Sequence, residues 1–319
     1  MTSYIIERLL SVVPVILVVA VAVFFIVHLS PGEPASVILG PNASQGDIEA
    51  LKTELGHDRP IHEQFFTWIG NTITGDLGES IYAHDSVLSV FSTYFIPTLS
   101  LTILAQIIAV LIAIPIGIFA AVRRGSLIDQ SLMGFSLLGI SVPSFLLGLF
   151  FILIFSVQLQ WFPVAGFEPL NSGLWTHIKS LILPAIALSL AQAALLVRMT
   201  RSSMLEVLPN SYIKTARSKG LKEQTVIYKH ALRNAFVVIL EIIGQTFSSL
   251  IAGAVVIEFV FNIPGLGQLI VNSVERRDFP VIQGTVLLIA VAYVFINLII
   301  DLLYGVVDPR VRLGRKKEG

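Results

Sequence analysis

The sequence predicts an all-α polytopic membrane protein. It has six transmembrane helices, an ordered cap after the first, and a short surface helix on the opposite side between the fourth and fifth. Two observations carry this. Charged residues are 13% of the 319 and hydrophobic residues 55%, where a soluble domain holds about 25% charge. Six runs are also long and apolar enough to fill a hydrocarbon core, which takes roughly 20 helical residues. The same composition excludes other classes. Net charge is zero, so no basic face is offered to nucleic acid. Cysteine is absent, which removes disulfide scaffolds, zinc ribbons, iron–sulfur ligands and thiol nucleophiles.

In chain order the runs are Leu9–Leu29, Thr98–Val122, Gln130–Leu159, Ser180–Val197, Ala235–Phe261 and Val281–Leu303. The first reads as an anchor. It is too long for the apolar region of a secretory signal, and Leu29-Ser30-Pro31-Gly32 is not a small-x-small cleavage site. The third is long for one span and contains Gly139–Pro143. Pro143 removes a backbone donor there, which predicts a kink. Pro115 and Pro184 lie inside spans, where neighbouring groups re-satisfy the freed carbonyl.

Lys and Arg set the orientation. With the N-terminus in the cytoplasm, inner segments hold 16 of them and outer segments 5. Residues 30–97 then form an extracytoplasmic cap with nine acids and two bases. Helix-like pieces at Gln45–Leu55 and Ile61–Thr72 make it an ordered one. Residues 98–303 form the transmembrane core, and 304–319 a basic cytoplasmic tail. The inner segment 198–233 carries eight bases against two acids, a composition that a simple channel or anchor does not need. Segments 1–122 and 178–303 share no motif, so no inverted repeat is expected.

Catalytic signatures are missing. There is no G-x-x-x-x-G-K-[ST] phosphate loop, no H-E-x-x-H and no G-x-S-x-G. His57, His62 and His84 share the cap at a spacing that fits no metal template, and read as solvated surface histidines. Intramembrane acids are functional hints by default. Glu241 and Glu258 stand 17 residues apart on one span, about 25 Å at 1.5 Å per residue, so they cannot act as a pair. Glu258 and Asp301 lie near the ends of their spans, within reach of water. Glu241 is read as the more buried, lining the pathway or meeting a partner. Gly265 and Gly267 form either a tight turn or part of a gate beside Glu258.

Within the inner segment, Tyr212–Lys219 holds no helix breaker, and Gly220 can adopt the left-handed conformation that ends a helix. Lys222–Ala231 can form a second helix. Ile213, Ala216 and Leu221 supply a small apolar face, while Lys214, Arg217 and Lys219 supply positive charge. Such an element suits anionic lipid and protein docking equally.

Tyr212-x-x-Thr215-Ala216-Arg217-x-Lys219-Gly220, followed by His230-Ala231-Leu232-Arg233-Asn234, resembles the "EAA" loop of ATP-binding-cassette importer permeases, in the form found in the dipeptide, oligopeptide and nickel family. Its usual Glu-Ala-Ala opening is Lys214-Thr215-Ala216 here. Further stretches resemble the same family in order along the chain. They are His28-x-x-Pro31-Gly32-x-Pro34, Glu54-Leu55-Gly56-x-Asp58-x-Pro60, Gly75-Asp76-Leu77-Gly78-x-Ser80, Arg124-Gly125-Ser126 with Asp129, and Ser141-x-Pro143-Ser144-Phe145. Near the C-terminus follow Phe261-x-x-Pro264-Gly265-Leu266-Gly267, Arg277-Asp278-Phe279-Pro280-Val281-Ile282-Gln283, Asp301-Leu302-Leu303-Tyr304 and Asp308-Pro309-Arg310. The chain resembles the first of that family's two permease subunits.

The resemblance implies a subunit of the bacterial inner membrane with both termini cytoplasmic. Its partners would be a second homologous permease, two cytoplasmic ATPases that hold ATP and Mg, and an extracytoplasmic solute-binding protein. This chain would bind no cofactor or metal and would catalyse nothing itself. Loop 198–234 would contain the coupling helix that docks in an ATPase cleft, with Tyr212, Ile213, Thr215, Ala216, Arg217, Lys219, Gly220 and Leu221 at the contact. Di- or oligopeptides are the implied cargo, with nickel-chelate, glutathione or opine uptake as alternatives. The basic inner loop argues against an ATP-independent channel or secondary carrier, and the ordered motifs argue against a non-transporting scaffold.

Overall fold

The computed structural model describes residues 13–25, 34–40, 43–54, 56 and 58–307. Its helices in order are α1 (Val13–Phe25), α2 (Pro34–Leu39), α3 (Gln45–Glu54), α4 (Ile61–Ile73), α5 (Val87–Val122), α6 (Leu127–Ser141), α7 (Ser144–Phe151, continued by the π turn Ile152–Gln158), α8 (Leu174–Val207), α9 (Ser211–Ser218), α10 (Glu223–Val260), α11 (Leu266–Arg276) and α12 (Phe279–Val307). Among the described residues the only extended pairing is an isolated bridge between Glu79 and Ser86. The cap pieces appear where the sequence put them, at α3 and α4.

Among the described residues four helices are long and apolar enough to cross a membrane, or five if the bent pair α6–α7 is one span. The first of the six expected spans is described only as the 13 residues of α1; the ends of Leu9–Leu29 lie outside the described residues. So do His28, Pro31, Gly32, Leu55, His57 and Asp308–Arg310, and the side chains of 301–307 are likewise outside, Asp301 among them. The other spans outgrow their expected limits. α5 begins at Val87 rather than Thr98 and carries Pro97 as well as Pro115. α8 extends ten residues past Val197. At 1.5 Å per residue, the 36 residues of α5 reach about 54 Å, against a hydrocarbon core of ~30 Å, so these helices project well beyond it.

The kink expected at Pro143 is a full break: α6 and α7 meet at 94°. Val142 is extended (φ −87°, ψ 123°), Pro143 is the N-cap with ψ 133°, and the next helix starts at Ser144. The proline ring disfavours a helical residue before it.

The chain divides into two compact units, residues 1–96 with 266–296, and residues 97–265 with 297–319. In the first, α4 packs on α1 through aromatic edges: Phe24 lies 5.2 Å from Phe65 and 5.8 Å from Trp68, centroid to centroid. Val87, Phe91, Leu266, Leu269 and Val281 form its buried core. Two of the sequence motifs meet here. Gly75 and Gly78 both take positive φ, and the Asp76 carboxylate accepts the Gly78 N–H at 2.9 Å. This turn delivers Ser80, whose hydroxyl donates to Asp278 at 2.6 Å, both side chains being buried.

The second unit is built around α8. Two-thirds of its most apolar stretch is buried, twice the share for α10. Small residues let neighbouring backbones approach. A Cβ on Gly117 of α5 would sit 2.6 Å from the Thr200 Cβ of α8, and one on Gly139 of α6 would sit 3.2 Å from the Ala194 Cβ. Gly134, also in α6, faces open space. Gly117→Ala should therefore destabilise the protein by about 1–3 kcal/mol and Gly134→Ala should not, as read by thermal unfolding in detergent.

Candidate functional site

The inner segment folds differently from a helix–turn–helix lying flat on a surface. α8 runs on to Val207 and α10 begins at Glu223, so the expected second helix is the first part of the next span. The chain between them is little more than α9. The start of α10 is wound as a π-helix from Val226 to Ala231, a form that often marks functional positions. His230 and Ala231 close this stretch.

α9 ends where the sequence predicted. Gly220 has φ +77°. Its N–H donates to the Arg217 carbonyl at 2.9 Å, and the Leu221 N–H donates to the Ala216 carbonyl at 3.4 Å. This pair of bonds satisfies two of the orphaned C-terminal carbonyls. A Cβ at Gly220 would meet nothing within 4 Å. The glycine is required by the backbone's handedness, not by close packing.

Ile213 and Ala216 correct the expectation of an outward apolar face. They are buried in a cluster with Ile118, Met204, Val226, Ala231 and Ile239, and so hold α9 onto the ends of α5, α8 and α10. Burying an isoleucine side chain contributes roughly 1.5–3 kcal/mol. The outward face is Tyr212, Lys214, Thr215, Lys219 and Leu221, all exposed. Arg217 is exposed too, but its guanidinium donates to both Glu223 oxygens, at 2.6 and 3.1 Å. That hydrogen-bonded carboxylate raises the Arg217 pKa above its ordinary value. The pair is half-exposed, so it orients the turn between α9 and α10 more than it stabilises it.

Between α6 and α8 lies a contact the sequence reading missed. Gly125 has positive φ and its N–H donates to Asp129; Ser126 caps α6 by accepting the Asp129 N–H at 3.2 Å. Asp129 also receives two hydrogen bonds from Arg201 of α8, at 2.6 and 2.7 Å. Asp129 was visible only as a motif letter and Arg201 only as one of eight bases. Their separation of 72 residues hides the pair from any local pattern.

The intramembrane acids exchange their expected roles. Glu258 does not reach water: it is fully buried and accepts a hydrogen bond from Thr98 of α5. A Cβ at Gly265 would overlap its carboxyl group, so Gly265 is brought against Glu258 as the gate reading required. The arrangement is a packed turn all the same: the Gly265 N–H donates to the Ile263 carbonyl and the Ile263 N–H to the Glu258 carbonyl, both at 2.8 Å. Gly267 is buried in the first turn of α11. Glu241, expected to be the more buried, is exposed at the midpoint of α10. Elsewhere in the spans, Gln106 and Thr246 satisfy each other at 3.3 Å. Among the described residues no three His, Asp or Glu side chains gather as metal ligands.

Comparison with known proteins gives concordant results. Residues 113–313 match the family described as binding-protein-dependent transport system inner membrane component, and residues 1–102 match its N-terminal membrane component. A probable peptide ABC transporter permease protein, y4tP of Sinorhizobium fredii, is 40% identical over 98% of this chain and 100% of its own. The glutathione transport system permease protein GsiC of Shigella flexneri is 42% identical over 98% of this chain and 99% of its own. The methionine ABC transporter MetNI, in inward-facing conformations, aligns with a TM-score of 0.58 at 18% identity, covering 69% of this chain and 96% of that one. The last shows a shared fold.

Two outcomes follow from the geometry. Ile213→Ala should release α9 at a cost of about 2–4 kcal/mol, seen as faster proteolysis between residues 208 and 222. Asp129→Ala and Arg201→Ala should each destabilise by about 2–3 kcal/mol, since each leaves a partly buried charge without its partner. The double variant should lose less than the sum in a thermal-unfolding cycle.

Proposed function

The chain belongs to the family of inner membrane components of binding-protein-dependent transport systems, and from that premise we propose how it is powered and what it carries. It is the permease subunit of an ABC importer for small peptides. It works with a second permease of the same family, two ATPase subunits and a solute-binding protein. α9 is the element the ATPases move. It lies on the cytoplasmic side with both termini, and the segment 30–97 with α11 faces the binding protein.

The observation that carries this reading is the construction of α9. Eight residues are closed by a left-handed glycine, fastened by Ile213 and Ala216 to the ends of three long helices, and turn an aromatic and basic face outward. A push on such a helix is transmitted to α5, α8 and α10 through close-packed side chains. A flexible loop would absorb it. A transport cycle needs a contact that survives while the spans exchange access, and the outward residues Tyr212, Lys214, Thr215, Lys219 and Leu221 are the ones available for it. A lipid-bound surface helix would place its apolar residues outward; here Ile213 and Ala216 point into the protein, and of the three only Leu221 is exposed.

The cargo reading rests on relatives whose names specify peptide and glutathione. Glutathione is itself a small peptide, so one cargo class covers both. Nickel-chelate and opine uptake draw on no feature of this chain.

Gly220→Asp should abolish ATP-driven uptake while the protein still inserts. Aspartate at φ +77° is strained by roughly 1 kcal/mol, and it sets a negative charge beside the basic face. Uptake measured in membranes with matched protein levels, together with co-purification of a P-loop ATPase, checks this. Retained uptake, or no ATPase on the wild-type chain, contradicts the proposal.

A further inference from the structure

We propose that one face of α10 lines the aqueous path of the transporter, and that Glu241 on it receives the ammonium group of the passing solute. This rests on the importer reading above and adds the surface and the chemistry by which the solute is handled inside the membrane.

Asn234, Glu241, Gln245 and Ser249 recur at intervals of seven, four and four residues, and all are exposed. That spacing places them on one stripe of the helix. The stripe extends 15 residues from Asn234 to Ser249, about 22 Å along the axis, most of a hydrocarbon core of ~30 Å. Side chains exposed on α5 show what an apolar environment selects in the same chain: Ile103, Ile107, Leu111 and Phe119. Val238 on the same stripe is apolar, and the Asn234 amide and Ser249 hydroxyl donate to carbonyls of their own helix; the Glu241 carboxylate and the Gln245 amide, one turn apart, are the groups that call for water, because polar groups facing lipid have no partner there. Glu258 shows how this protein treats an acid that is structural. It is buried and hydrogen-bonded by Thr98. Glu241 is neither buried nor near an end of its helix.

Charge complementarity selects the occupant. The stripe carries one formal charge, and it is negative. A small peptide presents an ammonium at its amino terminus, and a carboxylate accepts from it in a charge-assisted hydrogen bond. Gln245, one turn further along, offers both a donor and an acceptor to a peptide bond.

The chain contains no cysteine, so single cysteines introduced into it report one position each. In the assembled transporter in proteoliposomes, cysteines replacing Glu241, Gln245 and Ser249 should react with a charged, membrane-impermeant thiol reagent, at rates that change with ATP. Cysteines replacing Ile107 and Leu111 should not react. Uptake of a dipeptide with a free amino terminus should fall about tenfold in Glu241→Gln and at least tenfold further in Glu241→Lys, with the partner subunits still co-purifying. Unreactive cysteines at all three α10 positions in every nucleotide state would mean that the stripe is covered by the partner permease, and would overturn the proposal. Equal uptake in Glu241→Gln and Glu241→Lys would overturn the ammonium assignment while the importer reading stands. Absence of ATP-driven uptake by the wild-type complex would remove both.

Discussion

A polar side chain inside an apolar helix bundle is costly without a hydrogen-bond partner, and three pairs of side chains in the second unit supply one another's. Thr98 answers Glu258, Gln106 answers Thr246, and Arg201 answers Asp129 with two parallel hydrogen bonds. Each pair joins two different helices, so each fixes a register that apolar packing alone leaves loose. Hydrocarbon supplies no competing donors or acceptors, which makes the Thr98–Glu258 and Gln106–Thr246 contacts selective even where their net contribution to stability is modest. Small residues complete the arrangement: Gly117 against Thr200 and Gly265 against Glu258 bring backbone where a side chain would not fit.

The same requirement separates structural from working polar groups. Asp129 and Glu258 are buried and satisfied, and each ties two helices together. α9 is attached to three of those helices by Ile213 and Ala216, so movement imposed on it is shared by α5, α8 and α10. Glu241 stands outside the scheme, exposed at mid-helix. One principle, satisfaction of polar groups in a dry environment, thus supports both the proposed mechanical element and the proposed path.

Four of the motifs that made the family visible prove to be joints. Gly75–Ser80 and Arg277–Gln283 are clasped by the Ser80–Asp278 hydrogen bond. Arg124–Asp129 is a helix cap completed by a distant arginine, and Phe261–Gly267 is the turn folded over Glu258. None of them is a catalytic group. Their residue types are demanded by positive φ at Gly75, Gly78, Gly125 and Gly220 or by a buried carboxylate.

Local signals were sufficient for a large part of this protein. Hydropathy located the apolar cores of the long helices, Pro143 marked the break, Gly220 marked the end of α9, and the cap helices fell within a residue or two of their expected limits. These features depend on backbone conformation and on a side chain's preference for water or oil, and both are properties of short segments. Helix ends escaped, because α5, α8 and α10 continue past the hydrocarbon on packing that composition does not encode. The direction in which each residue points also escaped. Ile213 and Ala216 face inward, Glu258 is enclosed, and Glu241 is exposed, each against expectation. Facing is decided by neighbours many residues away, Thr98 for Glu258 and Met204 with Val226 for Ile213, and only the folded chain brings those neighbours together.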